Sequence, residues 1–256
     1  MRKTKRKDSA EMRRTMEYIL DLHTHTIASG HAYSTIKEMA QAASQKGIEL
    51  LGITDHSMTM PGTCHFFYFQ NLRVVPKKQY GVELMFGSEL NIIDYNGKVD
   101  MEEFVLRSLD YAVASFHVPC IRPGSVAENT RAARKVMENP YVLILGHPDD
   151  GRFPLDYEEI VRGAKETGTI VELNNSSLYP NGYRQGAYEN DRKLLGLCIK
   201  HEVPIVVDSD AHVDVDVGSH QYAQVLLDEI SFPEELILND RPELIKNFIL
   251  KKRAGL

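Results

Sequence analysis

The sequence predicts an α/β fold, a closed or nearly closed barrel of parallel strands in a single domain. Short apolar runs alternate with amphipathic helical segments seven times, which is typical of a parallel sheet covered by helices. The chain has 256 residues, and at this length a barrel is favoured over an open doubly wound sheet. No Gly-x-Gly-x-x-Gly motif follows the first strand, which argues against a dinucleotide-binding fold.

The first strand–helix unit shows the pattern. Tyr18–Leu20 is a short apolar run and predicts a buried strand. Thr35–Glu38 has the sequence of a capping box, which marks the start of a helix. One apolar face of that helix is formed by Ile36, Met39, Ala40 and Ala43. Gly47 suits the end of the helix, and Glu49–Ile53 follows as the second strand.

The later units repeat this order. Further strands are predicted at Glu83–Gly87, Tyr111–Phe116, Val142–Leu145, Thr169–Leu173 and Pro204–Val207. Helices are predicted at about Met101–Leu109, Asn129–Glu138, Tyr157–Thr167 and Tyr188–His201. A hairpin is expected where Asn91–Asp94 and Lys98–Met101 flank the turn sequence Tyr95-Asn96-Gly97.

Composition narrows the function classes. The formal charge of −6 argues against a dedicated nucleic-acid binder, because a negative surface repels phosphate backbones. No apolar stretch approaches 18 residues, so no membrane span is predicted. Cys64, Cys120 and Cys198 form no C-x-x-C pair, so we expect no disulfide framework and a cytoplasmic location. We expect residues 1–16 to form a basic, flexible arm and residues 17–256 to form the barrel.

Polar side chains with metal-binding chemistry follow most of the predicted strands. They lie in Asp21–His25, Thr54–His56, Gly87–Glu89, Ser115–His117, Gly146–Pro148 and Asp208–His212. The carboxyl ends of parallel barrel strands share one face, where barrel enzymes keep their active sites. His23 and His25 also face the same side of an extended segment. The sequence therefore predicts that these side chains converge.

The distribution of histidines predicts a transition-metal site. Six of the ten histidines follow predicted strands, and a seventh, His31, lies in the first strand–helix loop. Imidazole and carboxylate together suit zinc, manganese or iron. His65, His201 and His220 fit no strand end and are interpreted as structural or surface residues.

Together these motifs resemble the PHP (polymerase and histidinol phosphatase) family of metal hydrolases, in particular its YcdX-like phosphatase branch. The resemblance covers roughly residues 17–230 and includes Glu172–Ser177. It excludes the basic arm and Gly62–Asn71, where Thr63-Cys64 replace a more aromatic and histidine-rich stretch. It implies a distorted, TIM-like (β/α)7 barrel with three divalent metal ions, zinc being favoured over manganese or iron.

The resemblance also implies roles for single residues. His23, His25, Glu89 and Asp210 would hold the first ion. Glu89 would bridge to a second ion, held also by His117 and His147. The third ion would be held by His31, His56 and His212. Glu89, Asp210 and His212 are the expected catalytic residues.

The implied reaction is hydrolysis of a small phosphomonoester. Two adjacent ions lower the pKa of a shared water, and the resulting hydroxide attacks phosphorus in line with the leaving oxygen. A third ion neutralises the charge that develops. An arginine fork often completes a phosphate site, and Arg122, Arg152 and Arg184 are the candidates.

Several alternatives stay open at this point. Amidohydrolases usually have a lysine after the fourth strand, where this sequence has Phe116-His117. Their metal site also leaves His31 and His56 without a function. An exonuclease-type phosphodiesterase needs a basic groove, and the N-terminal arm is the one obvious basic cluster. Histidinol-phosphate phosphatase is a narrower form of the main prediction. A non-catalytic metal-binding module is expected to have lost ligands, yet all nine are present. The sequence leaves the resident metal and the oligomeric state open, a homo-oligomer included.

Overall fold

The computed structural model describes residues 17–254, so the predicted basic arm of residues 1–16 lies outside it. The strands are β1 Leu20–Asp21, β2 Leu50–Ile53, β3 Lys78–Gln79, β4 Val82–Asn91, β5 Tyr111–Ser115, β6 Val142–Leu145, β7 Ile170–Asn174 and β8 Ile205–Asp208. The helices are α1 Ile36–Gln45, α2 Phe66–Asn71, α3 Glu103–Leu106, α4 Val126–Met137, α5 Tyr157–Thr167, α6 Ala187–His201, α7 Gln221–Glu229 and α8 Pro242–Arg253.

The strands form one sheet that nearly closes into a barrel, which confirms the predicted fold. Seven of them follow one another in the order β1-β2-β4-β5-β6-β7-β8, and each neighbouring pair is parallel. The short β3 pairs antiparallel with β4 and stands off this path. The carboxyl ends of all seven parallel strands therefore share one face.

The barrel interior is packed with apolar side chains. Alternate strand residues point inward, and one buried cluster joins Leu50, Met85, Tyr111 and Val113 with residues from the remaining parallel strands. Ile245 of α8 belongs to the same cluster, so this last helix packs against the side chains of the barrel interior. The outward strand residues form a second, larger cluster with the surrounding helices.

The barrel is distorted at the seam between β8 and β1. The two segments meet in a short parallel bridge between Thr24 and Ala211. Elsewhere along the seam the side chain of Asn239 fills the gap. Its Nδ2 donates to the carbonyls of Leu20 (3.2 Å) and Val207 (2.7 Å), and its Oδ1 accepts from the Val207 amide (2.8 Å). One amide side chain thus replaces part of a strand ladder.

Two buried carboxyl groups cross the same seam. Asp208 accepts from the Leu22 amide at 2.7 Å, and Asp21 accepts from the Ser209 amide at 3.1 Å. Each strand end therefore supplies an acceptor to the opposite one, at the level where the metal-ligand motifs begin.

Local details differ from the sequence prediction. The capping box of Thr35 and Glu38 is present as expected. Strand β4 is longer than predicted and continues through Glu89 to Asn91. The expected hairpin is reduced to one antiparallel bridge, between Ile92 and Val99, around a tight turn. Helices α2, α7 and α8 had no counterpart in the prediction. No helix within residues 17–254 is long and apolar enough to cross a membrane.

Candidate metal centre

The strand ends bring the predicted ligands around one cavity of about 320 Å³. His23, His25, Glu89 and Asp210 are buried within this face of the barrel. The cavity walls include His31, His56, Glu89, His117, Asp210 and His212. All nine predicted ligands therefore come together, with His23, His25 and His147 beneath the surface of the cavity.

Glu89 lies at the middle of the cluster. Its Oε2 is 2.7 Å from His56 Nδ1, 3.4 Å from His23 Nε2 and 3.5 Å from His25 Nε2. Its Oε1 is 2.8 Å from His147 Nε2 and 3.3 Å from His117 Nε2. Its two oxygens thus face two different sets of imidazoles, which is the arrangement expected of a bridging carboxylate.

Asp210 approaches the same cluster from the other side of the barrel seam. Its Oδ1 lies 3.3 Å from His25 Nε2 and 3.8 Å from His23 Nε2. Its backbone φ of 53° is in the left-handed region, as is the φ of 27° at His147. Such conformations cost energy in residues other than glycine and cluster at functional sites.

The remaining three predicted ligands stack at the mouth of the cavity. The ring of His31 lies 4.8 Å from that of His56 and 5.1 Å from that of His212, between centroids. The ring of His25 lies 4.3 Å from both His56 and His212. His31 is exposed and His212 half-buried, so this part of the site is the most open to solvent.

Geometry alone divides the ligands somewhat differently from the family pattern. Three groups have donor atoms within 4.8 Å of one another: His23 with His25 and Asp210, His25 with His56 and His212, and His56 with Glu89 and His117. The first group agrees with the expected first ion. His25 and His56 each belong to two groups, so the partition among three ions stays a prediction.

The donor set fits metal ions because buried atoms in it have no other use. His23 Nε2, His25 Nε2, His56 Nδ1 and Glu89 Oε2 find no hydrogen-bond partner among the described residues. Buried polar atoms without partners are costly and rare in native proteins. Transition-metal ions bind imidazole nitrogen and carboxylate oxygen and would satisfy these atoms.

Neighbouring polar groups hold the ligand imidazoles in place. His23 Nδ1 lies 2.6 Å from Glu172 Oε1, and His117 Nδ1 lies 2.8 Å from Asn91 Oδ1. Each acceptor fixes the proton on Nδ1 and leaves the Nε2 lone pair for an ion, as is usual for metal-binding histidines. The family pattern includes Glu172 but assigns it no role, and the sequence predicts Asn91 in the hairpin.

Asp55 organises the first loop in a similar way. Its carboxylate accepts from the Thr26 amide (2.7 Å), from Ser29 Oγ (2.7 Å) and from Tyr68 Oη (2.5 Å). Ser29 Oγ in turn lies 3.0 Å from His25 Nδ1. Asp55 therefore positions His25 through Ser29. The sequence offered one signal for it, its place directly before His56.

Burial and charge set the proton affinities in the cluster. Burial, and then the neighbouring His212 and His56, hold the pKa of His25 well below its usual value. Burial also lowers the pKa of His117. Burial opposes ionisation of Glu89, but the adjacent histidines outweigh it and hold that pKa well below its usual value. Neutral imidazole and ionised carboxylate are the forms that bind metals. His23 differs from His25 and His117: burial lowers its pKa, but the charges of Glu172 and Glu89 outweigh burial and hold that pKa well above its usual value.

Two of the three candidate arginines line the cavity. Buried Arg184 donates to Asp210 Oδ2 (2.9 Å), Ser177 Oγ (2.9 Å) and Asn174 Oδ1 (3.1 Å). Arg152 lines the cavity and pairs with Asp150, its Nε lying 2.9 Å from Oδ2. Arg122 is exposed and is not among the described residues that line the cavity.

The three histidines interpreted as structural or surface residues lie outside the cluster. His65 is exposed and caps the start of α2, accepting from the Phe67 amide. His201 Nε2 lies 2.7 Å from Glu158. Buried His220 packs edge-on against Tyr18, with centroids 4.9 Å apart.

The segment that departs from the family pattern forms a turn and helix α2 beside the His31 loop. Gly62 approaches so closely that a Cβ on Gly30 would lie 2.1 Å from the Gly62 carbonyl oxygen. Thr63 Oγ1 donates to the His56 carbonyl at 2.5 Å. The segment thus supports two proposed ligands from outside.

Comparison with known proteins agrees with this geometry. Residues 21–177 match the family model of the PHP domain. A protein of Clostridium novyi is 44% identical over 93% of this chain and 96% of its own length. A Clostridium botulinum protein is 47% identical over the same shares, and one from Acetivibrio thermocellus is 46% identical over 93% and 98%. Each of the three is named a probable phosphatase.

Solved structures share the fold at low sequence identity. A histidinol phosphate phosphatase from Lactococcus lactis, in complex with zinc, L-histidinol and phosphate, has a TM-score of 0.56 at 14% identity. The match covers 84% of this chain and 95% of that one. A chain in an archaeal ribonuclease P with mature tRNA has a TM-score of 0.57 at 16% identity, covering 92% and 93%.

The two solved structures share their fold with most of the length of this chain. The sequence matches are far stronger, because they combine a family-model match over more than half of the chain with identities above 40% across 93% of it. The chain therefore belongs to the PHP domain family and, with these relatives, is classed as a metal-dependent phosphatase, a hydrolase.

Proposed function

We propose that this protein hydrolyses a small phosphomonoester at a centre that holds three divalent metal ions, zinc in preference to manganese or iron. The observation that carries the proposal is the convergence of nine imidazole and carboxylate ligands with two arginines around one cavity of about 320 Å³. A site of this size admits a phosphoryl group and a small alcohol. The proposed location of the protein is the cytoplasm.

The proposed ion ligands are His23, His25, His31, His56, Glu89, His117, His147, Asp210 and His212. When bound, such ions supply a water of lowered pKa and positive charge for the phosphoryl oxygens. Zinc is favoured because seven of these nine ligands are histidines. The zinc in the L. lactis phosphatase belongs to that protein and agrees with this choice.

The protein's own residues would position the reacting groups. Glu89 and Asp210 keep their negative charge within the cluster, because their pKa values lie well below the usual range. Arg184 orients Asp210 from behind by donating to Oδ2, which leaves Oδ1 facing the histidines. Arg184 and Arg152 together place positive charge beside the cavity, where phosphoryl oxygens would bind.

The rest of the cavity wall suits a small substrate. Met60, Val118 and Pro119 add apolar surface to the walls of the cavity. Water would be partly excluded there, which strengthens the electrostatic contacts that stabilise a phosphoryl transition state. Histidinol phosphate stays a candidate substrate within this class.

The test is a screen of phosphomonoesters, phosphodiesters and short single-stranded DNA with protein of defined metal content. We expect phosphomonoesters to be preferred, activity to be lost on chelation, and zinc or manganese to restore it. His117→Ala should lose at least tenfold in activity, whereas the matched change His201→Ala should stay within twofold, because His201 lies outside the cluster. Faster cleavage of DNA or diesters would replace the proposal with a phosphodiesterase, and a fully metal-loaded protein without any turnover would contradict it.

A further inference from the structure

A second cavity, of about 310 Å³, adjoins the metal cavity and carries its own set of polar side chains. We call it the side chamber. It shares His31, Tyr183, Asp210 and His212 with the metal cavity. Its remaining walls are Ser176, Tyr179, Ser209 and Asp216.

We propose that the side chamber is the binding site for the leaving group, and that it selects a polyhydroxylated alcohol, so that the substrate is a sugar phosphate. The inference rests on the proposed phosphomonoesterase function and deepens it. The four shared wall residues make the two cavities adjacent, so the alcohol of a substrate whose phosphoryl group binds at the metal cluster would extend past His212 and Tyr183.

Asp216 is the central feature of the side chamber. Among the described residues, no side-chain hydrogen bond or ion pair engages its carboxylate. The nearby cation Lys46 does not neutralise it, because Lys46 Nζ donates instead to the carbonyls of Val215 (2.6 Å) and Val217 (2.7 Å). Asp216 is half-buried and lines the chamber, so its carboxylate can accept hydrogen bonds from water or from a bound ligand.

Three hydroxyl groups in the chamber walls have no side-chain hydrogen-bond partner among residues 17–254: those of Ser176, Tyr179 and Tyr183. Burial, followed by the charge of Asp216, raises the pKa of Tyr179, in keeping with a carboxylate close to that phenol. Ser209 is already engaged, since its hydroxyl donates to Asp21 Oδ2 at 2.5 Å. The chamber therefore offers one charged acceptor and three groups that both donate and accept.

Aromatic faces complete the chamber. Tyr179 packs edge-on against Tyr222, with centroids 5.0 Å apart, which holds its ring in place. Tyr183 is 65% exposed, and its ring lies 5.1 Å from the Arg184 guanidinium and 5.2 Å from that of Arg152. Tyr183 thus lines both cavities, whereas the two candidate arginines, Arg152 and Arg184, line the metal cavity.

These groups match the chemistry of a sugar better than that of the alternatives. Adjacent hydroxyls can donate to a carboxylate and exchange hydrogen bonds with Ser and Tyr hydroxyls, while an aromatic face covers the apolar side of the ring. An aliphatic alcohol would leave Asp216 and the hydroxyls unpaired on burial. An ammonium group would satisfy Asp216 but needs none of the three hydroxyls as donors.

The test measures binding separately from catalysis. Zinc-loaded protein is titrated by calorimetry with three non-hydrolysable phosphonates: the methylene phosphonate analogue of glucose 6-phosphate, propylphosphonate and 3-aminopropylphosphonate. We expect the sugar analogue to bind about tenfold more tightly than propylphosphonate, because it adds a charge-assisted hydrogen bond to Asp216. Equal affinities, or tightest binding of the aminopropyl compound, would overturn the assignment.

Matched variants identify the residues responsible. Asp216→Asn should weaken binding of the sugar analogue about tenfold and leave propylphosphonate within twofold, which also checks that the site is intact. Asp214→Asn is the control, because Asp214 lies in the same turn but accepts from Ser34 Oγ and does not line the chamber. Ser176→Ala probes the opposite wall and should weaken the sugar analogue about threefold. If Asp216→Asn keeps the full preference for the sugar, the assignment is wrong.

Failure of this inference is distinguishable from failure of the proposed function. Preferential binding of the sugar phosphonate without turnover of any phosphomonoester would support the side chamber and contradict the phosphatase proposal. Rapid turnover of simple alkyl phosphates, with no preference for the sugar in binding or in KM, would do the reverse.

Discussion

Replacement of Glu89 by Gln should be more damaging than loss of any single histidine that shares an ion with it. Five histidine nitrogens lie within 3.5 Å of the two Glu89 oxygens. Gln keeps the size but removes the charge, so each of two proposed ions loses an anionic ligand. Perturbing one metal ligand or its support costs about 10- to 100-fold in affinity or activity. Two such losses together predict a fall in kcat/KM of about 10²–10⁴.

The assay combines steady-state kinetics on a phosphomonoester with metal analysis and thermal unfolding of the same preparation. His117→Ala serves as the comparison for loss of one ligand from one ion, with an expected fall of about 10–100-fold. Glu83→Gln is the control on the same strand, because Glu83 is half exposed at the other end of β4 and pairs with Lys246. If Glu89→Gln kept its metal and an activity within tenfold of the unaltered protein, the bridging role would be refuted.

Three further predictions concern the groups around the cluster. Glu172→Gln should lower zinc affinity about 10–100-fold without unfolding the protein, since Glu172 orients His23; unchanged competition with a chelator would contradict this. His56→Ala should release about one metal equivalent and slow turnover about 10²–10³-fold with the barrel intact; retention of all metal and full rate would exclude the third ion as drawn. Burial and then the Asp149 charge raise the pKa of Asp191 well above its usual value, so folding retains a proton there that the unfolded chain releases, and stability should fall as pH rises above about 4. Asp191→Asn should remove this decline, and denaturation midpoints measured from pH 5 to 9 that keep the same slope would refute it.

The fold was predictable because strand and helix signals in this chain are local and strong. Alternation of apolar runs with capped helices such as the one begun by Thr35 requires no knowledge of distant contacts. The convergence of the ligands was predictable for a related reason. Once seven strands run parallel, residues that follow them must share a face, as Glu89 and His147 do.

Features that depend on tertiary contact were not predictable in the same way. Helix α2 begins at a histidine cap, so its sequence lacks an ordinary start signal, and its Phe69 is held by burial in the core. The turn sequence Asn96-Gly97 formed its turn, but β4 continues to Asn91 because Glu89 and Asn91 pair with the β5 side of the sheet. Strand pairing therefore displaced most of the expected hairpin.

The contacts that hold the proposed ligands in place were the least predictable part of the site. Nothing local in the sequence shows that Asn91 lies against His117, or that Arg184 reaches Asp210 across 26 positions. The residue types were visible, but their pairing follows from the register of neighbouring strands. The division of nine ligands among three ions also depends on distances that spacing along the chain does not encode.

The Asn239 seam links assembly of the active site to the final stage of chain collapse. Asn239 and Leu20 are 219 positions apart, so their contact closes nearly the whole chain into one loop. Contacts of such long sequence separation form late, since loop-closure entropy must be offset first. His23 and His25 lie on one side of the seam and Asp210 on the other, so the proposed ligands of the first ion come together only when the barrel closes. Metal binding would then stabilise the closed barrel relative to chains in which the β8–β1 seam is open. Chelation should therefore loosen the N-terminal strand before the rest of the sheet.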